Sequence, residues 1–374
     1  MLGKTWIAAP MMDVNGPGID KENDNLIKRI LDSRWIVGEN EIAKFLNPSI
    51  KEYMPDPSTM RDMDLAARII ADHIVRGSKI AIYGDYDVDG ITSTAVFVKY
   101  LRELGVDVFW HVPTREGEGY GLNCKAIHEI GSNNANLIIT VDCGISGIDE
   151  IDCAKKLGID VVVTDHHSPD VNLPDANAIV NPKRADDESG LSYLAGVGVA
   201  FLTLVAVNRE LRTRDLNPEL KSRIENINLL NYMDLVALGT ICDTMPLVGL
   251  NRAFAATGLK VLSMHQNLGL RTLMDVAGIK KPTTYTVMFA LGPRLNAAGR
   301  LDSAEPVLQL LLTDNIYVAQ DLANKLNTMN QERIGVQNAI MLDATDMAEK
   351  ICADGKCSLY VCGDNWRKGV MGII

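Results

Sequence analysis

Three aspartates spaced two apart and closed by a glycine, Asp85, Asp87, Asp89 and Gly90 in IYGDYDVDGITST (82–94), concentrate oxygen donors on a short piece of chain. Such a cluster suits a cation, and its surroundings decide which kind. The same opening begins a calcium EF-hand loop, which needs a bidentate Glu at its twelfth position and a helix in front. The twelfth position is Val96, and the preceding KIAIYG (79–84) is a short apolar run with β-branched residues that reads as a buried strand. The calcium loop fails on both counts.

Two further acidic or imidazole clusters follow apolar runs in the same way: Asp142 in TVDCG, and Asp165-His166-His167 in VVVTDHHSP. A lone Asp after a strand is commonly a helix cap, and a His pair is commonly a surface pair. What gives these residues weight is the set of elements that must position them. From residue 79, strand-like runs (79–84, 107–113, 137–142, 160–165, 178–182) alternate with helix-like segments (91–104, 122–131, 147–157). That alternation predicts right-handed βαβ crossovers and a doubly wound α/β fold with a parallel sheet. In such a sheet the functional crevice lies beyond the carboxyl ends of the strands. All three clusters fall at that edge.

Carboxylates mixed with imidazole suit Mn²⁺ or Mg²⁺ better than calcium or a thiolate zinc site. Several carboxylates arriving from different loops suggest two ions sharing a bridging Asp. Ions paired about 3.5–4 Å apart activate water and stabilise an in-line displacement at phosphorus. The residues alone therefore point to metal-assisted phosphoester hydrolysis.

The chain has 374 residues, 47% of them hydrophobic, enough for a large core and two domains. A net charge of −11 argues against broad adhesion to nucleic acid, although not against a local basic groove. Seven cysteines without a CxxC pair read as reduced thiols rather than as disulfides or a zinc site. Cys143 reads as a packing residue, and His73, His111, His128 and His265 carry no catalytic argument of their own. No apolar run approaches the length of a membrane span and the start lacks signal-peptide features, so the expected location is cytoplasmic.

Helical patterns at 23–33 and 60–77 flank a turn-rich MPDPS, and the second half is mostly helix-like, with apolar stretches at 199–206, 229–240 and 305–312. The expected organisation is a helical extension (1–65), the α/β domain (66–315), a connecting helix (316–350) and the start of a second α/β domain (351–374). The last 24 or so residues include a strand-like CSLYVCG (357–363) and are too few to bury a core of their own, which implies a truncated domain.

GDYDVDG, VDCGISG, VVVTDHH and LGTICDTMPLVGLNR resemble, in order, the four motifs of the DHH phosphoesterase superfamily. Within it, HVPTREGEGYGLN (111–123), IVNPKR, LAGVGVAF (194–201) and LGPRLNAAGRLDSA (291–304) are similar to the RecJ family of single-strand-specific 5′→3′ exonucleases. The resemblance runs from about residue 25 to 374. It implies that Asp87 and Asp89 bind one metal ion each, that Asp142 bridges both, and that His166 and Asp243 complete the ligands. Asp85 would be either a direct ligand or a carboxylate orienting a bound water. His167 would contact the scissile phosphate or support the leaving group, with Asp165 holding an imidazole. Where the superfamily's pyrophosphatases have a His, this chain has Tyr83, which implies a weaker hold on the second ion. Arg294, Asn296 and Arg300 would contact substrate; as bare residues they would read as structural.

The activity implied is hydrolysis of single-stranded DNA from its 5′ end to mononucleotides by two-metal hydroxide attack, with Mn²⁺ or Mg²⁺, in DNA repair and recombination. Single-strand-binding protein and a helicase would be partners in that role. The alternatives are a phosphodiesterase acting on short oligonucleotides, cyclic dinucleotides or pyrophosphate, and a non-catalytic DHH interaction module.

Overall fold

A computed structural model of the chain describes residues 26–115, 117–353 and 359–374, and the chain divides into two compact units, Met1–Tyr53 and Met54–Ile374. In the first unit the described helices are α1 (Leu26–Asp32), α2 (Glu39–Leu46) and α3 (Ile50–Tyr53). Residues 23–25 of the helical pattern at 23–33 lie outside the described residues.

The second unit begins with a 3₁₀ turn at Pro57–Thr59, in the turn-rich MPDPS, capped by Asp56 accepting from the Ser58 amide. It then alternates α4 (Met63–Arg76), β1 (Ile80–Tyr83), α5 (Val88–Glu103), β2 (Val108–His111), α6 (Cys124–Ser132), β3 (Leu137–Val141), α7 (Ile148–Lys156), β4 (Asp160–Thr164), β5 (Ala178–Val180) and α8 (Gly196–Arg212). The strands form one parallel sheet in the order β2-β1-β3-β4-β5. This is the doubly wound arrangement expected from the alternation, and its switch point lies between the carboxyl ends of β1 and β3.

Strand side chains alternate between two cores. Ala81, Tyr83, Ile138, Val161 and Val163 bury against Ala126, Ile127 and Ile130 of α6 and Ile151 and Ala154 of α7. On the other face, α5, α8 and α4 cover the sheet. Helix α5 starts at Val88, earlier than the expected 91, because Asp87 is its N-cap and accepts from the Gly90 amide at 3.0 Å.

The second half is helical: α9 (Pro218–Asn226), α10 (Met233–Cys242), α11 (Gly249–Leu262), α12 (Leu268–Val276), α13 (Thr284–Thr286), α14 (Gly292–Leu301), α15 (Glu305–Leu312), α16 (Ile316–Ala353) and α17 (Lys368–Met371). A π-helical turn, Val287–Leu291, leads into α14. No described helix is long and apolar enough to cross a membrane.

One expectation is corrected at the end of the chain. Cys357 and Ser358 lie outside the described residues, and Leu359–Gly363 forms no strand. A strand needs a neighbour to take up its backbone groups, and no neighbour stands beside this segment among the described residues. The segment instead leads to α17, where Val370 buries against Leu301 and Ile340. Trp366 donates from Nε1 to Asp343 of α16 at 2.8 Å.

Candidate metal centre

The first loop leaves β1 at Tyr83 and turns at once into α5. A side-chain carbon at Gly90 would lie 2.6 Å from backbone atoms of Asp85, so only glycine permits so tight a turn. The result is that Asp85, Asp87 and Asp89 converge instead of splaying along a strand. Asp142 follows β3 in a left-handed conformation (φ 60°), which Asp tolerates better than most residues, while its amide extends the sheet by donating to the Thr164 carbonyl at 2.9 Å. Asp165, His166 and His167 follow β4. Asp243 arrives separately, at the C-cap of α10.

These residues meet. Asp85, Asp87 and Asp142 each bring one oxygen within 4.8 Å of the others, as Asp89, His166 and Asp243 do with one ligand atom each, and likewise Asp142, His166 and His167. His166 Nε2 lies 3.2 Å from Asp142, 3.7 Å from Asp243 and 3.9 Å from Asp89. Its Nδ1 faces the Leu194 carbonyl at 2.9 Å. A carbonyl only accepts, so the proton sits on Nδ1 and, because burial lowers the imidazole's pKa, Nε2 presents a bare lone pair to the carboxylates.

The carboxylates themselves are strained by one another. Burial first and then the charge of Asp87 push Asp85 and Asp89 up to about 7, and burial and Asp89 do the same to Asp243. Asp142 is raised well above the ordinary range by burial and then by Asp89 and Asp87. Among the described residues, the buried carboxylate oxygens without a hydrogen-bond partner are Asp85 Oδ1, Asp142 Oδ1 and Asp243 Oδ2. Buried polar groups are normally satisfied, and here every exception among carboxylates lies in one cluster facing an imidazole lone pair. A divalent cation is the group that relieves all of these at once, and the oxygen and nitrogen donor set fits Mn²⁺ or Mg²⁺.

Asp165 stands apart in chemistry. Burial alone would raise its pKa, but hydrogen bonds and charge from His167, with the Ile145 amide, hold it below the ordinary value. Its oxygens accept from the amides of Ile145 (3.0 Å), His166 (2.7 Å) and His167 (3.1 Å), and from His167 Nδ1 at 2.8 Å. It is a support for the two histidines. That bond to Asp165 raises the His167 pKa, and Tyr120 places its hydroxyl 3.0 Å from the same nitrogen.

Several contributors were not visible as functional residues in the sequence. The amides of Gly196 and Val197, at the start of α8, donate to Asp89 at 2.6 and 2.9 Å. A side-chain carbon at Gly196 would stand 2.7 Å from Asp142 Cβ, so this glycine lets the helix end approach both aspartates. The motif LAGVGVAF thus supplies backbone, for which its glycines before an apolar helix were the only signal. Glu118 ties down the loop after β2, accepting from the Thr114 amide at 2.8 Å and pairing with His111 and Asn123. Tyr83 donates to the Gly121 carbonyl and accepts from Asn123, so its hydroxyl is engaged with this loop.

That loop carries Arg115, stacked over Tyr86 at 4.3 Å. Beside the centre, Tyr86, Asp87, Arg115, Asp243, Asn296 and Arg300 line a polar cleft of about 200 Å³. Among the described residues Arg115 Nε has no hydrogen-bond partner, and Arg300 donates to the Gly369 carbonyl at 3.0 Å. Burial first, then Arg115 and Arg333, lower the Arg300 pKa. Two cations crowd one cleft and, among the described residues, neither forms an ion pair with a carboxylate, an arrangement that suits an anion. Asn296 accepts from the Val88 amide at 3.2 Å. Arg294 is not brought to the cleft: it is held by Asn327 and the Ala290 carbonyl.

The model of the DHH family, N-terminal domain, matches residues 79–240. The chain is 39% identical to the single-stranded-DNA-specific exonuclease RecJ of Bacillus subtilis over 85% of its own length and 38% of that protein's. It is 37% identical to RecJ of Escherichia coli over 93% of its length and 60% of the other's. It thus spans between about two fifths and three fifths of these curated relatives. A crystal structure of exonuclease RecJ bound to manganese superposes with a TM-score of 0.71 at 34% identity, covering 84% of this chain and 76% of that one.

Proposed function

The chain belongs to the RecJ family of DHH proteins, and from that we propose that it carries the catalytic centre of a metal-dependent exonuclease that hydrolyses single-stranded DNA from the 5′ end. The observation that carries the proposal is that the unpartnered oxygens of Asp142 and Asp243 face the lone pair of His166, while Asp85, which also has an unpartnered oxygen, joins the same cluster through Asp142. Asp89, His166 and Asp243 would hold one ion, and Asp85, Asp87 and Asp142 the second, with Asp142, whose oxygen also lies 3.2 Å from His166 Nε2, available to both. Asp85 takes the direct-ligand role because its carboxylate lies in the second group and keeps a buried oxygen without a partner. Bound there, Mn²⁺ or Mg²⁺ would activate a water and neutralise charge developing on the phosphate.

The remaining steps fall to protein groups. Arg115 and Arg300 bind the phosphate in the adjoining cleft, and Asn296 orients the backbone of the first motif through Val88. His167, held by Asp165, donates a hydrogen bond to the phosphate or to the leaving oxygen. Leu194 fixes the His166 tautomer, and the amides of Gly196 and Val197 hold Asp89 in place. The test compares cleavage of a long single strand, a duplex and a dinucleotide in Mn²⁺, by the parent and by Asp142→Asn. Loss of long-strand cleavage in the variant supports the reading, whereas a preference of the parent for the dinucleotide would replace DNA by a small phosphodiester as substrate.

A further inference from the structure

Helices α6 and α7 pack side by side, and neither carries a ligand of the first centre. Cys124 and His128 stand four residues apart on α6, and Asp149 and Cys153 stand four apart on α7. Residues at that spacing share a helix face, and the two faces meet. Cys153 Sγ is 3.5 Å from His128 Nε2, and Cys124 Sγ is 4.0 Å from the Asp149 carbonyl. The Cys124 thiol is raised in pKa by burial first and then by the Cys153 thiol across the two helices. Both thiols are half-buried and His128 is exposed, so solvent and ions reach them.

We propose that Cys124, His128 and Cys153 form a second metal site, one for a thiophilic divalent cation of the Zn²⁺ class, with the Asp149 carboxylate or a water as fourth ligand. Two thiolates and an imidazole select such an ion, whereas Mn²⁺ and Mg²⁺ favour the oxygen-rich centre at the sheet edge. The chemistry needs no oxidant: two S–H bonds break, two sulfur–metal bonds form and two protons leave. Zn–S and Zn–N bonds of about 2.3 and 2.0–2.1 Å leave ligand atoms some 3.5 Å apart. The Cys153–His128 pair already has that separation, and Cys124 Sγ, 4.0 Å from the Asp149 carbonyl, would turn toward them to complete the set.

The ligands come in two i,i+4 pairs on different helices, a pattern that a search for CxxC pairs passes over. Such an ion would brace the first turn of α6, where the loop bearing Arg115 and Tyr120 ends, against the helix that follows Asp142.

Cobalt(II) titration into the metal-free full chain tests this, because thiolate ligands give a sulfur-to-cobalt charge-transfer band in the near ultraviolet and the carboxylate centre gives none. The expected result is a band saturating at one equivalent, abolished by Zn²⁺, retained in Asp142→Asn and lost in Cys153→Ser. His128→Gln, an exposed change that leaves the core untouched, should weaken cobalt binding at least tenfold and serves if the serine variant does not fold. Absence of the band overturns the proposal, as does a band of parent intensity in Cys153→Ser or unchanged affinity in His128→Gln. None of these readouts depends on nuclease activity.

Discussion

His166 gives its Nδ1 proton to the Leu194 carbonyl at 2.9 Å and so turns a bare Nε2 toward Asp142 at 3.2 Å. A strand-end imidazole and a residue 28 positions later in the chain thereby share one task. His166→Gln should therefore lower Mn²⁺ affinity by at least ~10–100-fold while circular dichroism stays that of the parent. Calorimetric titration of Mn²⁺ gives the answer, and an unchanged affinity would remove His166 from the centre.

Gly196 is the second dependence. A methyl group there would press on Asp142 and push the start of α8 away from Asp89. Gly196→Ala should cost about 1–3 kcal/mol of stability, the usual range for overpacking, and weaken Mn²⁺ binding together with it. Thermal denaturation with and without Mn²⁺ separates the two effects; a fully stable variant with parent affinity would show that the helix end is free to shift.

The crowded carboxylates set a pH dependence. Asp85, Asp89 and Asp243 titrate near 7 in the fold against 3.8 ordinarily. Between those values the metal-free fold keeps protons that the unfolded chain has lost, so its stability falls as pH rises from about 4 through about 7. Bound ions replace the protons and reverse the trend. Melting temperature measured across that range should fall in EDTA and rise in Mn²⁺, and a rise in EDTA would contradict the assignment.

Arg115 and Arg300 should act on substrate binding rather than on the metal. Removing one phosphate contact to a single strand reduces the slope of log affinity against log salt by about 0.7. Anisotropy with a 3′-labelled oligonucleotide should show that loss in Arg115→Ala and in Arg300→Ala, with Mn²⁺ affinity kept. Arg294→Ala, whose guanidinium is tied to Asn327 and Ala290, should leave the slope unchanged.

Much of this centre was legible because its ligands follow strands. Period and β-branching located β1, β3 and β4, and a parallel sheet delivers the residues after them to one edge. Asp243 was not legible in that way, since it ends a helix in the second half and only family resemblance singled it out. Leu194, Gly196 and Val197 act through backbone groups, which leave no chemical signature in side chains. Arg115 was hidden in a loop whose course depends on Glu118 bonding to His111, Thr114 and Asn123. The strand expected at 357–363 does not form over its described part, 359–363, because β-propensity is realised only where a partner strand stands alongside.

The central claim is a two-ion centre bridged by Asp142, and Mn²⁺ stoichiometry in Asp142→Asn measures it most directly. The parent should bind two ions per chain with single-strand cleavage, and the folded variant should lose at least one ion and at least ~100-fold of the rate. Two ions still bound, with cleavage at the parent rate, would contradict it.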